Sequence, residues 1–114
     1  MRIATPLSPP VFNVLLALGE DVLHGYAIMQ HFEEITGGAD QLLPGTLYVT
    51  LARMVELGLI EAARPPAGEQ SGGAPRRYYR VTSRGRAAGK AESERLRRLV
   101  QVAEERSWLP GIAR

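Results

Sequence analysis

Apolar residues recur at helical spacing over the first half of the chain, and then the period changes. Phe12, Leu15 and Leu16 lie three and four positions apart, on one face of a helix with ~3.6 residues per turn. Ser8 ahead of Pro9-Pro10 offers an N-cap oxygen and a first turn in which a missing N–H is harmless. Gly19 then offers a stop. Ile28, Met29, Phe32 and Ile35 mark a second helix, from about His24 to Thr36, closed by Gly37-Gly38. A third helix starts at Pro44-Gly45-Thr46, turns Leu47, Leu51, Met54 and Val55 inward and ends at Gly58.

Beyond Gly58 the pattern is that of strands. Leu59 to Arg64 and Arg77 to Val81 read as two short strands, joined by a hairpin loop from Pro65 to Pro75 rich in Pro, Gly and Ser. Thr82 caps a last helix that the pattern carries from Ser83 to Trp108, a length of ~39 Å at ~1.5 Å per residue. The predicted fold is α+β, mostly α: a winged helix-turn-helix of three helices and a two-stranded wing, with a long C-terminal dimerisation helix. The expected division is residues 1–82 for the winged domain, 83–109 for the long helix and 110–114 for a frayed tail. Leu96, Leu99 and Ala103 form a seam on that helix, widened by Val100 and Val102 and extended backward by Ala88 and Ala91. A long helix with one apolar stripe and no later element to cover it calls for a partner. Packing back on its own core is the alternative, for which the helix is too long.

Composition adds exclusions. The 114 residues suffice for one core, and 45% hydrophobic with 23% charged residues is ordinary globular usage. The chain has no cysteine, so it can form neither disulfides nor thiolate metal sites. The longest apolar run, Val14 to Leu18, is far short of the ~20 residues of a membrane span, and no secretory signal is apparent. The expectation is a cytoplasmic protein.

The net charge of +2 hides an uneven distribution. Residues 1–43 hold one base against five acids, whereas residues 64–90 hold seven bases against Glu69 alone. A basic segment in an otherwise acidic chain is the footprint of a phosphate binder, or else a solvated arginine-rich surface. On the third helix the arc opposite the apolar one carries Thr46, Val49, Thr50 and Arg53, with Tyr48 at the border. Arginine can pair with guanine, hydroxyls with base edges or phosphate, and valine with a thymine methyl. On the wing, Arg76, Arg77 and Arg80 can reach phosphates, and strand alternation sends Tyr78 and Tyr79 to opposite faces, one toward the core.

Enzymatic chemistry finds no constellation here. His31 and Glu34 share a helix face, with His24 two turns back, but so few surface ligands on one helix are ordinarily just solvated. Glu33-Glu34 and Glu104-Glu105 are adjacent and diverge, and Gly72-Gly73 lacks the lysine and helix start of a phosphate loop. No catalytic residue, metal or cofactor is expected. The alternative to DNA binding is a winged helix used as a protein-interaction module.

Three blocks in order carry a resemblance: His24-Gly25-Tyr26 with Ile28; Pro44-Gly45-Thr46-Leu47-Tyr48 with Leu51, Gly58, Leu59 and Ile60; and Arg76-Arg77-Tyr78-Tyr79-Arg80-Val81-Thr82 with Gly85. Over roughly Leu7 to Gly85 the chain resembles the PadR family of bacterial transcriptional regulators, in its compact branch with a single C-terminal helix. The resemblance implies a homodimer that binds double-stranded operator DNA, mostly as a repressor and in many members released by a small-molecule effector. It implies DNA contacts from Thr46, Tyr48, Val49, Thr50, Arg53, Arg76, Arg77 and Arg80, and a dimer interface of Phe12, Leu96, Leu99, Val100 and Ala103. An effector pocket between the first and last helices of the two subunits would be lined by Phe12, Leu15, Leu96, Val100 and Trp108. Gly25 would permit close helix packing, with Tyr26 a core or dimer residue. Where some relatives place a tryptophan midway along the last helix, this chain has Glu94-Arg95-Leu96-Arg97, so a flat aromatic ligand stacked there is not expected.

Overall fold

The local signals at the helix ends govern how the chain starts and stops each element. In the computed structural model, which describes residues 6–68 and 76–110, Ser8 Oγ accepts from Val11 N–H and opens α1 (Pro9–Leu18). His24 caps α2 (Gly25–Ile35) with its ring: Nδ1 accepts from Ala27 N–H at 3.2 Å. The expected start of this helix at His24 therefore moves by one residue, and the histidine becomes a cap. Pro44 begins α3 (Pro44–Glu56). It ends in a Schellman motif, with Gly58 at φ +76° and Leu59 N–H returning to the Met54 carbonyl at 2.9 Å.

Three short antiparallel strands follow the order β1-β3-β2, where β1 is Leu23–His24, β2 Ile60–Ala63 and β3 Tyr78–Val81. The register sets Ile60 opposite Val81, Ala63 opposite Tyr78, and His24 on the other side of Tyr78. The two-stranded wing thus gains a third strand absent from the expected pattern. Two extended residues ahead of α2 pair with the wing, which ties it to the helical core.

Val14 and Leu18 of α1, Ile28 and Phe32 of α2, Leu47, Leu51 and Met54 of α3, and Ile60 of β2 are fully buried and make one core. A polar tie adds to it: His31 Nδ1 donates to the Ala17 carbonyl at 2.6 Å, joining α2 to α1. Thr82 then links three elements. Its Oγ1 donates to the Gly58 carbonyl at 2.6 Å and accepts from Gly85 N–H at 3.0 Å, capping α4 (Ser83–Glu105).

The last helix is shorter than the pattern suggested. It ends at Glu105, where Ser107 takes φ +64° and Trp108 N–H returns to the Ala103 carbonyl at 2.9 Å. Trp108 therefore lies beyond the helix, 78% exposed. No helix among the described residues is long and apolar enough to cross a membrane. Of the expected hairpin loop, residues 69–75 lie outside the described residues, as do residues 111–114 of the expected tail.

The early turns of α4 pack on α1 and β3, with Gly85 buried and Ala88 against the core cluster. Glu92 is buried as well. Its carboxylate accepts from Arg95 Nε at 3.0 Å and Nη2 at 2.5 Å, and from Leu7 N–H at 3.2 Å, so it fastens the segment before α1 to α4. The hydrogen bonds from Arg95 hold the Glu92 carboxyl below the ordinary glutamate range, with desolvation opposing them. A carboxyl depressed in the folded state stabilises it above the unfolded pKa of about 4.3, and that contribution is lost as pH falls through the lower folded value. Thermal melts followed by circular dichroism should show the wild-type protein losing more stability than Glu92→Gln as pH drops below about 4.3. Parallel curves would mean that Glu92 is not linked to folding.

Candidate nucleic-acid interface

Helix α3 buries Leu47, Thr50, Leu51 and Met54. The buried arc is rotated from the expected one: Thr50 is 8% exposed, whereas Val55 is 44% exposed. The sequence pattern had these two the other way round. Thr50 is small and carries a methyl group, so it fits under α3 where the helix meets the core, and Val55 is left at the rim. The free face then carries Thr46, Val49, Ala52 and Arg53, with Tyr48 at one border; Val49 is 72% exposed. Arg53 Nη1 lies 3.6 Å from Glu56 Oε1, both side chains largely in water, a pair too weak to hold the guanidinium against a better partner.

Beside this face is a shallow cleft of about 320 Å³ lined by His24, Gly25, Tyr26, Tyr48, Arg76, Arg77 and Tyr79. Gly25 lets Tyr48 in: a Cβ there would lie 2.9 Å from Tyr48 Cε1 and 3.0 Å from its hydroxyl oxygen. The close packing expected of Gly25 is therefore present, with a side chain of α3 as its object. Tyr26, expected in the core or dimer interface, is not in the core of the chain but exposed on the cleft wall. Alternation along β3 turns Tyr79, half-buried, toward the core cluster, where it also lines the cleft, and buries Tyr78 on the opposite face beside the His24 ring. Arg76 Nη1 stands 2.9 Å from His24 Nε2.

Not every expected contact joins this cluster. Arg80 points elsewhere and donates to Glu61 Oε2 across the β2–β3 ladder at 2.7 Å, on a surface shared with Ser83, Arg84 and Arg86. His24, Tyr26 and Tyr79 were missed as site residues. The one signal for His24 was its place just ahead of an apolar-periodic run, and histidine is not among the usual capping residues.

A second concavity, about 440 Å³, runs between α1 and α4 and is lined by Phe12, Leu15, Leu16, Gly89, Ser93 and Arg97 among others. Phe12 and Leu15 match the expected effector pocket. Leu96, Val100 and Trp108 do not line it: Leu96 and Val100 share the helix face of Gly85 and Gly89 but are not part of its wall, and Trp108 lies past the helix end. On the far half of α4, Leu99, Val100 and Val102 are exposed, while Leu96 and Ala103 are half-buried. Among the described residues no group of three His, Asp or Glu side chains is placed to hold a metal ion.

A three-helix core closed by a small sheet, with a basic wing root beside the free face of α3, is a winged helix-turn-helix of the kind that regulates transcription. The family model of the transcriptional regulator PadR-like family matches residues 14–91. The chain belongs to that family. An uncharacterized protein of Lysinibacillus sphaericus is 35% identical over 74 residues, which cover 65% of this chain and 65% of that protein. Solved structures share the fold. A PadR family transcription regulator from Clostridium difficile superposes with a TM-score of 0.70 at 24% identity, covering 86% of this chain and 97% of that one. Bacillus subtilis PadR in complex with operator DNA gives 0.63 at 21% identity, covering 75% and 47%.

Proposed function

We infer that this regulator binds double-stranded DNA as a homodimer, with α3 in the major groove and the wing root on the backbone. The observation that carries the reading is one surface: the free face of α3 continues through Tyr48 into the cleft where Arg76 and Arg77 stand. Thr46, Val49 and Arg53 would meet base edges, and Arg76 and Arg77 phosphates. Thr50, being buried, would act through packing, and Arg80 would contribute only after leaving Glu61. The structure of Bacillus subtilis PadR with operator DNA supports this use of the fold.

Two-fold symmetry in the protein asks for a palindromic operator with half-sites about 10–10.5 bp apart centre to centre, or a multiple of that. The division near Thr82 is one of tasks rather than of packing. Residues up to 82 present the DNA-binding surface, α4 completes the core with its first turns, and its far half holds the partner. Repression follows from occupancy of a promoter, in the cytoplasm with the chromosome. The α1–α4 groove, with Phe12 and Leu15 in its wall, is where a small effector would favour a DNA-incompetent dimer; it acts only through its difference in affinity for the two forms.

Titration of duplexes from upstream of the gene, against scrambled controls, tests the reading. Arg77→Ala should weaken all duplexes alike and flatten the log–log salt dependence by about one unit. Arg53→Ala should relax preference at particular base pairs, at a cost on the order of 1–3 kcal/mol for a bidentate contact. Wild-type protein that binds no duplex at low salt would leave the protein-interaction module as the better account.

A further inference from the structure

Helix α4 ends in a motif that steers one aromatic side chain. Ser107 N–H returns to the Glu104 carbonyl and Trp108 N–H to the Ala103 carbonyl, both at 2.9 Å, around Ser107 at φ +64°. This is the Schellman pattern, in which the residue after the left-handed turn comes back over the helix position whose carbonyl it binds. That position is Ala103, on the stripe that also carries Leu96 and Leu99. Trp108 is thus turned to the apolar side of α4, yet it is 78% exposed, and Leu109 beside it is exposed as well.

Toward the other end of the same helix lies the α1–α4 groove, about 440 Å³, walled by Phe12, Leu15 and Leu16 and bordered by Gly85 and Gly89. Cavities of roughly 300–1,000 Å³ take drug-sized molecules, so one indole fits. The register agrees. A two-fold axis crossing the stripe between Leu96 and Leu99 sets two copies of α4 antiparallel. Trp108, ~16 Å beyond that axis at ~1.5 Å per residue, then comes level with Ala87, between the two glycines. Charge agrees too. At ~100° per residue Glu104 lies on the same flank of the stripe as Arg86, Lys90 and Arg97, the cations of the groove rim. The two-fold axis brings like flanks together, so Glu104 of each copy approaches Lys90 of the other. Neither has an ion-pair partner among the described residues.

We propose that in the homodimer Trp108 of each copy seats in the α1–α4 groove of the other and closes it. The inference rests on the homodimer reading and adds to it a residue that each groove takes from the partner subunit. It also accounts for a tryptophan that lies on the apolar side of α4 without lining the groove of its own chain. An effector entering the groove has to move the partner's Trp108, so occupancy of the groove and the setting of the two subunits become one equilibrium.

Trp108 is the single tryptophan and the chain has no cysteine, so fluorescence and cross-linking both report on this contact without background. Light scattering first gives the mass. In the wild-type dimer Trp108 emission should be blue-shifted from that of N-acetyltryptophanamide in water, and acrylamide quenching should fall several-fold. Leu16 is half exposed, so Leu16→Asp spares the core while placing a carboxylate in the groove wall. It should return the emission to the red while the mass stays that of a dimer. Under mild oxidation Leu16→Cys/Trp108→Cys should run as a covalent dimer on denaturing gels, and each single-cysteine variant as one chain. A wild-type dimer whose tryptophan emits and quenches like the free amide overturns the proposal and leaves the dimer standing. So does a shielded tryptophan that Leu16→Asp leaves shielded and that the cysteine pair does not link across copies, which would place it elsewhere in the interface. Cross-linking by Trp108→Cys alone would show the two tails meeting each other, and overturns it as well. A monomeric wild-type chain instead removes the homodimer reading, and the proposal with it.

Discussion

Alanine in place of Gly85 should cost more stability than any other single methyl group added to this protein's helices. A Cβ at that position would lie 2.0 Å from the Leu59 carbonyl oxygen, and 2.9 Å from both the Leu59 carbonyl carbon and Val81 Cγ1. The obstruction is backbone, and it is engaged on every side. The Leu59 carbonyl accepts from Thr82 N–H at 3.1 Å, and Leu59 N–H closes the end of α3 on Met54. Relief would require α4 to lift from the junction, which breaks the Thr82 bonds to Gly58 and Gly85 as well. Overpacking commonly costs about 1–3 kcal/mol where side chains can yield. Here none can, so ~3 kcal/mol or more is expected, out of the ~5–15 kcal/mol that holds a domain together. Calorimetry should show Tm falling by more than about 10 °C. Gly89 supplies the internal control one turn later: its Cβ would sit 3.7 Å from Leu15 Cδ1, an ordinary contact. Gly89→Ala should leave Tm unchanged or raise it, because glycine inside a helix costs about 1 kcal/mol relative to alanine. A Gly85→Ala protein as stable as wild type would mean that α4 does not seat on Leu59 at all.

That junction also shows which parts of the fold were legible in the sequence. Helix caps and apolar periods are local, and Ser8, Thr82, Pro44 and Gly58 act where their residue types predict. Strand β1 was not legible. Two residues carry no period, and Leu23 and His24 become a strand only because Tyr79 and Tyr78, more than fifty positions later, supply the ladder. The end of α4 was hidden for a related reason: Ser107 takes the left-handed conformation with no glycine to announce it. On α3 the division into polar and apolar residues misplaced Thr50 and Val55, since orientation is settled by packing against three other elements rather than by side-chain polarity alone. Glu92 read as one more surface acid, and only its contact with Leu7 across 85 positions reveals it as a buried clasp. In the candidate interface the arginines of the wing root were evident from charge. The cleft that gathers them with His24, Tyr26 and Tyr79 depends on strand pairing and could not be read from spacing.

Leu99→Glu should convert the protein to a monomer and abolish operator binding while leaving the winged domain folded. The argument comes from one stripe on α4. Gly85, Ala88, Gly89, Glu92, Leu96, Leu99 and Ala103 fall within about a third of the helix circumference at ~100° per residue. Over the first turns this stripe is covered by α1 and β3 of the same chain. Further along, the same stripe continues with apolar residues, yet Leu99 is 54% exposed and its neighbour Val100 is exposed as well. A second copy related by two-fold symmetry would cover the stripe and its equivalent together, and Phe12, half-buried at the edge of the α1–α4 groove, would extend the contact. A carboxylate at position 99 would be desolvated there without a cation, a penalty of several kcal/mol on each side of the interface. In the monomer it would lie in water, so the Tm of the isolated domain should change little. Light scattering should report twice the chain mass of 12.5 kDa for wild type and that mass alone for the variant. Two half-sites bound by a linked pair gain about 10²–10⁴ in affinity over one, so the variant should lose that factor on an operator and much less on a single half-site. Leu99→Met, which keeps the apolar volume, should remain dimeric and bind as wild type does. A Leu99→Glu protein with unchanged mass would place the two-fold contact elsewhere, and one that is monomeric yet binds operator undiminished would show that pairing through α4 is not what aligns two recognition helices on DNA.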